Sequence, residues 1–177
     1  MEKQTREMVL SAMFLAIGML LPFFTGQIPQ IGRMLLPMHI PVLLCGFLCG
    51  WKYGLGVGFI LPLLRSVTLG MPPLFPVAAA MAVEMAIYGG VAGIAYQCAP
   101  RKGIADIYRA LLLAMILGRI GWGIAELVLL TSQGDAFTWQ LFFAGAFFNA
   151  IPGIIVQLLL IPAIMAAIER SGYAKEA

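Results

Sequence analysis

Charge is the scarcest chemistry in this chain. Asp, Glu, Lys and Arg make up 11% of its 177 residues, against about a quarter in soluble domains. Hydrophobic residues make up 62%, with a mean hydropathy of +0.96. No run of Ser, Pro or charge is long enough to be a linker. These shortages leave almost no room for a soluble domain, so one helical membrane domain over residues 1–177 is expected. The formal net charge of +3 is small. Its basic residues gather at the ends of apolar stretches, which argues against a nucleic-acid partner.

Catalytic and energy-coupling motifs are missing too. No Gly-rich phosphate loop ends in Lys and Ser/Thr, so the chain does not use ATP by the usual route. There is no His-Glu-x-x-His, and no Gly-x-Ser-x-Gly with a base to serve it. One histidine and scattered carboxylates make no metal set, so no metal, cofactor or catalytic residue is expected. Without a clear inverted repeat, a self-sufficient secondary carrier or channel is the weaker alternative. Cys45 and Cys49 share a helix face but have no His or second Cys pair at zinc spacing. They and Cys98 read as small packing residues. Lys3 and Arg6 before an apolar stretch superficially resemble a signal peptide, but no small-x-small site follows Phe24 and more spans come after, so retention is expected.

What is present is a series of six apolar segments, at 7–25, 36–50, 52–69, 74–98, 105–132 and 137–168. A bilayer core of ~30 Å needs about 20 helical residues, so the second segment is short. Gly50-Trp51-Lys52-Tyr53-Gly54 divides it from the third. Pro72, Pro73 and Pro76 divide the third from the fourth, Pro100 to Gly103 the fourth from the fifth, and Thr131 to Asp135 the fifth from the sixth. Pro152 and Pro162 are candidate kinks in the last. With the N-terminus inside, Lys3, Arg6, Lys52, Arg101, Lys102, Arg109, Arg170 and Lys175 are cytoplasmic and only Arg33 is outside. That bias predicts an N-in, C-in, six-helix all-α integral membrane protein.

Four ionisable residues fall inside the spans: Arg65, Glu84, Arg119 and Glu126. Each costs roughly 2.5–3.5 kcal/mol at a helix centre on insertion scales, so each is expected to face a partner or a wet cavity. Arg65 lies near the outer end of its span and Glu126 about two turns below the outer end of its own. Glu84, Arg119 and Asn149 are deeper. Arg119, Trp122 and Glu126, spaced i, i+3 and i+7, share a helix face. The two charges there are separated by about 10.5 Å of axis, too far to bond directly. Trp122 and Gly123 between them make a plausible wall for a small polar ligand with an apolar middle. The competing reading pairs each charge with another helix, Arg119 with Glu84 for example, purely to hold the bundle. Arg65 suits either a carboxylate or phosphate clamp or snorkelling to headgroups. His39, between Pro37 and Pro41, suits a backbone carbonyl as well as a ligand. Asn149 suits an interhelical hydrogen bond or a ligand. Loops at 25–35, 69–75 and 131–138 are candidate lids. Small-residue pairs recur at Ala12/Ala16, Gly54/Gly58, Ala82/Ala86 and Ala146/Ala150, where helices approach closely or meet a partner.

Three runs resemble a known family: Leu36-Pro37-Met38-His39-Ile40-Pro41-Val42-Leu43-Leu44 with Gly46, Trp51 and Gly54; Pro62-Leu63-Leu64-Arg65 through Gly70-Met71-Pro72-Pro73; and Met81-Ala82-Val83-Glu84-Met85-Ala86-Ile87-Tyr88-Gly89. Together they are similar to the S component of an energy-coupling factor (ECF) vitamin transporter, a substrate-binding membrane subunit. The likeness covers nearly the whole chain and is densest over 36–96. It implies an S-component-like bundle in the plasma membrane of a prokaryote, working with one T transmembrane subunit and two ATP-binding subunits. It implies that Ala12 and Ala16 meet the coupling helices of the T subunit, and that transport involves toppling of the bundle. The Met-His-Ile-Pro and Gly-Met-Pro-Pro runs look most like the pantothenate-type branch. For pantothenate, Arg65 or Arg119 would take the carboxylate, Trp122 the apolar middle, and Glu126, Glu84 or Asn149 the hydroxyls and amide. The two glutamates could equally receive a cationic or amine-bearing ligand, of a pyridoxamine or pyrimidine type, and the family alternatives of a pyridoxine-type, hydroxymethylpyrimidine or niacin ligand stay open.

Overall fold

Backbone with positive φ at two glycines decides where helices stop. Gly50 has φ 91° and Gly70 has φ 71°, a region where a side chain is strained. The Gly70 N–H closes its helix on the Ser66 carbonyl at 3.0 Å, a common helix terminator. The computed structural model describes residues 2–24, 34–133 and 150–170. Within them lie six helices: α1 (Glu2–Phe24), α2 (His39–Cys49), α3 (Trp51–Leu69), α4 (Ala79–Gln97), α5 (Ile104–Gln133) and α6 (Ile151–Arg170). A wide helical turn, Leu74–Ala78, leads into α4, with extended backbone at Phe75.

Four stretches are long and apolar enough to cross a membrane: Lys3–Phe24, Leu74–Gln97, Ile104–Thr131 and Ile151–Arg170. The expected second and third spans differ from these. Helix α2 has 11 residues, a reach of about 16 Å. Ten of those eleven are buried by neighbouring helices, so α2 meets protein rather than lipid and escapes the length rule. Helix α3 has 19 residues, about 28 Å, and carries Lys52 and Arg65. The five-residue turn expected between them contracts to Gly50 alone, and Trp51 to Gly54 form the first turn of α3. The first part of the expected sixth span, residues 137–149, lies outside the described residues, as do most of the 25–35 and 131–138 loops.

Helix α4 is the hub, packed on α2, α3 and α5; α1 lies on α2 and α3, and α6 on α5 and α2. Glycines make this possible. A Cβ on Gly54 or Gly58 of α3 would strike α4 backbone at Gly89 or Met85, and one on Gly46 of α2 would strike Gly89. The Gly54/Gly58 pair is therefore internal packing. Ala82 is buried as well, whereas Ala12 and Ala16 stand on the exposed side of α1 with Met8, Val9, Met13 and Leu20. Ala146 is not among the described residues. Cys45 and Cys49 are buried; Cys98 is exposed at the end of α4 instead of packed.

One end of the bundle collects the basic residues. Lys3, Arg6 and Lys102 line a cavity of about 180 Å³ with Glu7, Gln97 and Glu169. The Tyr96 hydroxyl lies 3.2 Å from the Lys102 carbonyl and 3.1 Å from Glu169 Oε1. The N-terminus of α1, the α2–α3 and α4–α5 junctions and the C-terminus of α6 thus share one end, as the charge pattern requires of an even number of crossings.

Candidate functional site

Toward the opposite end from this basic surface, three helices bring polar side chains into the apolar interior. Helix α2 contributes His39, α4 contributes Glu84 and α5 contributes Arg119, at 1%, 2% and 6% exposure. Arg119 Nη1 lies 3.0 Å from Glu84 Oε1, and His39 Nε2 lies 3.6 Å from Glu84 Oε2. Of the alternatives open for Arg119, the pairing with Glu84 is therefore present. Its angle falls short of a hydrogen bond, since Glu84 Oε1 has no hydrogen-bond partner.

Local packing explains how the pair forms. Glu84 and Tyr88 sit one turn apart on the buried face of α4. The Tyr88 ring meets His39 edge-on, with centroids 5.0 Å apart and planes at 86°, and its hydroxyl lies beside the Arg119 guanidinium. Gly118 lets α5 come this close: a Cβ there would lie 2.7 Å from the Tyr88 ring and 3.3 Å from the Glu84 carbonyl. Tyr88 and Gly118 are site-building residues that charge-based reasoning passed over. Their signals were the i+4 spacing from Glu84 and a glycine immediately before an intramembrane arginine.

The cluster is under-satisfied. Among the described residues, Arg119 Nε and Nη2, both ring nitrogens of His39 and Glu84 Oε1 are buried without hydrogen-bond partners. An unmet buried polar group costs about 1–3 kcal/mol. Among the described residues, the backbone bond considered for His39 is not made. On Arg119, Nη1 faces Glu84, while Nε and Nη2 form the other edge of the guanidinium. That edge is a two-donor fork matched to a planar carboxylate.

The remaining expected site residues fall in different places. Arg65 is 3% exposed but belongs to another contact. Its Nη1 donates to the Met19 carbonyl at 2.6 Å, and its guanidinium lies 5.3 Å from the Phe23 ring centroid, tying α3 to α1. Trp122 and Glu126 continue the inner face of α5 above Arg119, half-buried and each with interactions of its own. Ile120, Ile124 and Leu127 face outward on the same helix. Asn149 lies outside the described residues. The 69–75 loop carries exposed Leu69, Met71, Leu74 and Phe75.

Neither the curated proteins nor the solved structures contain a match to this chain. A family model does: the substrate-specific component of ECF transporters matches residues 6–165. Apolar helices, an unsatisfied polar cluster inside them and a match over most of the length agree, and the chain belongs to the family of ECF transporter substrate-specific components.

Proposed function

We propose that this chain captures pantothenate from the extracellular side and delivers it inward. As a family member it is a substrate-binding subunit of an ECF transporter, a multi-pass protein of the cell membrane and not an enzyme. Membership also implies work with T and ATPase subunits. Beyond that, the reading takes residues 1–177 as one domain of a prokaryotic protein, N-in and C-in, with a site in the outer half and one T and two ATP-binding partners. The gathering of basic residues at one end supports this orientation.

The observation that carries the ligand assignment is the unpaired Nε/Nη2 edge of Arg119. A carboxylate accepts both hydrogens in one plane; pantothenate and niacin each supply one, and the resemblance to the pantothenate-type branch favours the former. Arg65 is the weaker candidate because it already holds α1. Glu84 is neutralised by Arg119, which disfavours cationic or amine-bearing ligands. A carboxylate there would share the Arg119 guanidinium with Glu84, whose other oxygen faces His39 Nε2 at 3.6 Å. Trp122 and Glu126 would close over the apolar middle and hydroxyls, with Asn149 as a further polar contact. Ala12 and Ala16, on the exposed face of α1, suit contact with the T subunit.

The test is a vitamin panel against the purified chain. Pantothenate is expected to raise its melting temperature more than pyridoxine, hydroxymethylpyrimidine or niacin do, and Arg119→Ala to remove the effect. A larger shift with one of the others would replace the vitamin assignment.

A further inference from the structure

Gln157 on α6 is 0% exposed, and among the described residues both its Nε2 and its Oε1 lack hydrogen-bond partners. Buried amides are rarely left so. Helix α6 packs on α2 and α5, the helices that carry His39 and Arg119, so a wholly buried α6 side chain faces that side. Depth agrees. Met165 of α6 and Phe47 of α2 line the same cavity at the basic end. Gln157 is eight residues above Met165 and His39 eight above Phe47, all within helices, so both rise by about 12 Å. At the upper end, a Cβ on Gly153, four residues before Gln157, would meet the Met34 and Leu35 carbonyls, five and four residues before His39. The two helices therefore run in parallel register, with Gln157 level with His39.

We infer that Gln157 is a specificity residue of the substrate site, reading a ligand group that donates and accepts hydrogen bonds at once, an amide or a hydroxyl. This rests on the site proposed above. The unmet groups include a donor fork on Arg119 for an anion and a donor–acceptor pair on Gln157, level with a histidine that in neutral form is also one donor and one acceptor. A ligand matching both is bifunctional, with a planar anionic end and a neutral polar end. A simple carboxylate would leave Gln157 unmet, and a neutral alcohol would leave the fork unmet.

An unmet amide destabilises the empty protein, whereas a structural amide stabilises it. The full chain, purified in detergent, is compared with Gln157→Met and Gln157→Leu by thermal unfolding without ligand and by titration with pantothenate. The expected result is that both variants melt a few degrees higher when empty and bind pantothenate at least 10-fold more weakly. If both melt lower than the parent or fail to fold, Gln157 is structural and the inference falls. It falls equally if the melting temperature is unchanged, or if affinity stays within about 3-fold. If pantothenate does not stabilise the parent chain, the vitamin assignment fails by itself. The empty-protein comparison then decides for Gln157: a rise sustains it and anything else overturns it.

Discussion

Arg65 and Arg119 are both arginines buried within an apolar bundle, yet they have opposite hydrogen-bonding environments. Arg65 donates to a backbone carbonyl of α1 and covers an aromatic ring, contacts that need no ligand. Arg119 sets one nitrogen against Glu84 and leaves its bidentate edge unpaired. Burial of a charge inside a membrane protein therefore marks importance but not role. The role follows from which donors are already used. On this comparison the Arg65 region is a structural tie between helices and the Arg119 region is the receptor we propose.

The largest break in the comparison comes from Gly118→Val. Its side chain would collide with Tyr88 and the Glu84 backbone, so α5 must move away from α4. The expected outcome is loss of both ligand binding and the cooperative melting transition. Arg119→Ala comes next. It strands Glu84 in the interior, costing about 3–5 kcal/mol of stability, and abolishes ligand-induced stabilisation, both read by thermal unfolding with and without pantothenate. Arg65→Met sharpens the contrast. It lowers stability by about 1–3 kcal/mol with or without ligand, while affinity by calorimetry stays within about 3-fold. The smallest effect on binding is expected from Ala12→Trp, on the exposed face of α1. Affinity is unchanged, but co-purification with the T subunit is lost; loss of binding instead would make that face part of internal packing.

How much of this was legible in the residues differs between fold and site. Helix boundaries at Gly50 and Gly70 followed from glycine and proline placement, because backbone stereochemistry is local. The clustering of basic residues at one end followed from their spacing. The Arg119–Glu84 pair was one of two open readings, and only packing decided that it forms, since it depends on Gly118 admitting Tyr88. The partner of Arg65 is a carbonyl on a helix some 46 positions away, and a carbonyl has no sequence signature. Gln157 passed unnoticed because a lone uncharged amide in an apolar run resembles any packing residue until its burial and missing partners are seen. The short α2 was visible as a short segment, but its near-complete burial, which removes the need to span lipid, comes from neighbours on four helices.

The central claim is that the open edge of Arg119 receives a carboxylate, and one substitution isolates it. Arg119→Lys keeps a positive charge beside Glu84 but replaces the planar fork with a point donor. The decisive measurement is the affinity of parent and variant for pantothenate and for pantothenyl alcohol, which lacks the carboxylate. The parent chain is predicted to prefer pantothenate by about 100-fold, or about 2.8 kcal/mol, and the lysine variant to lose most of that preference while still folding. An undiminished preference in the variant, or none in the parent, would contradict the account.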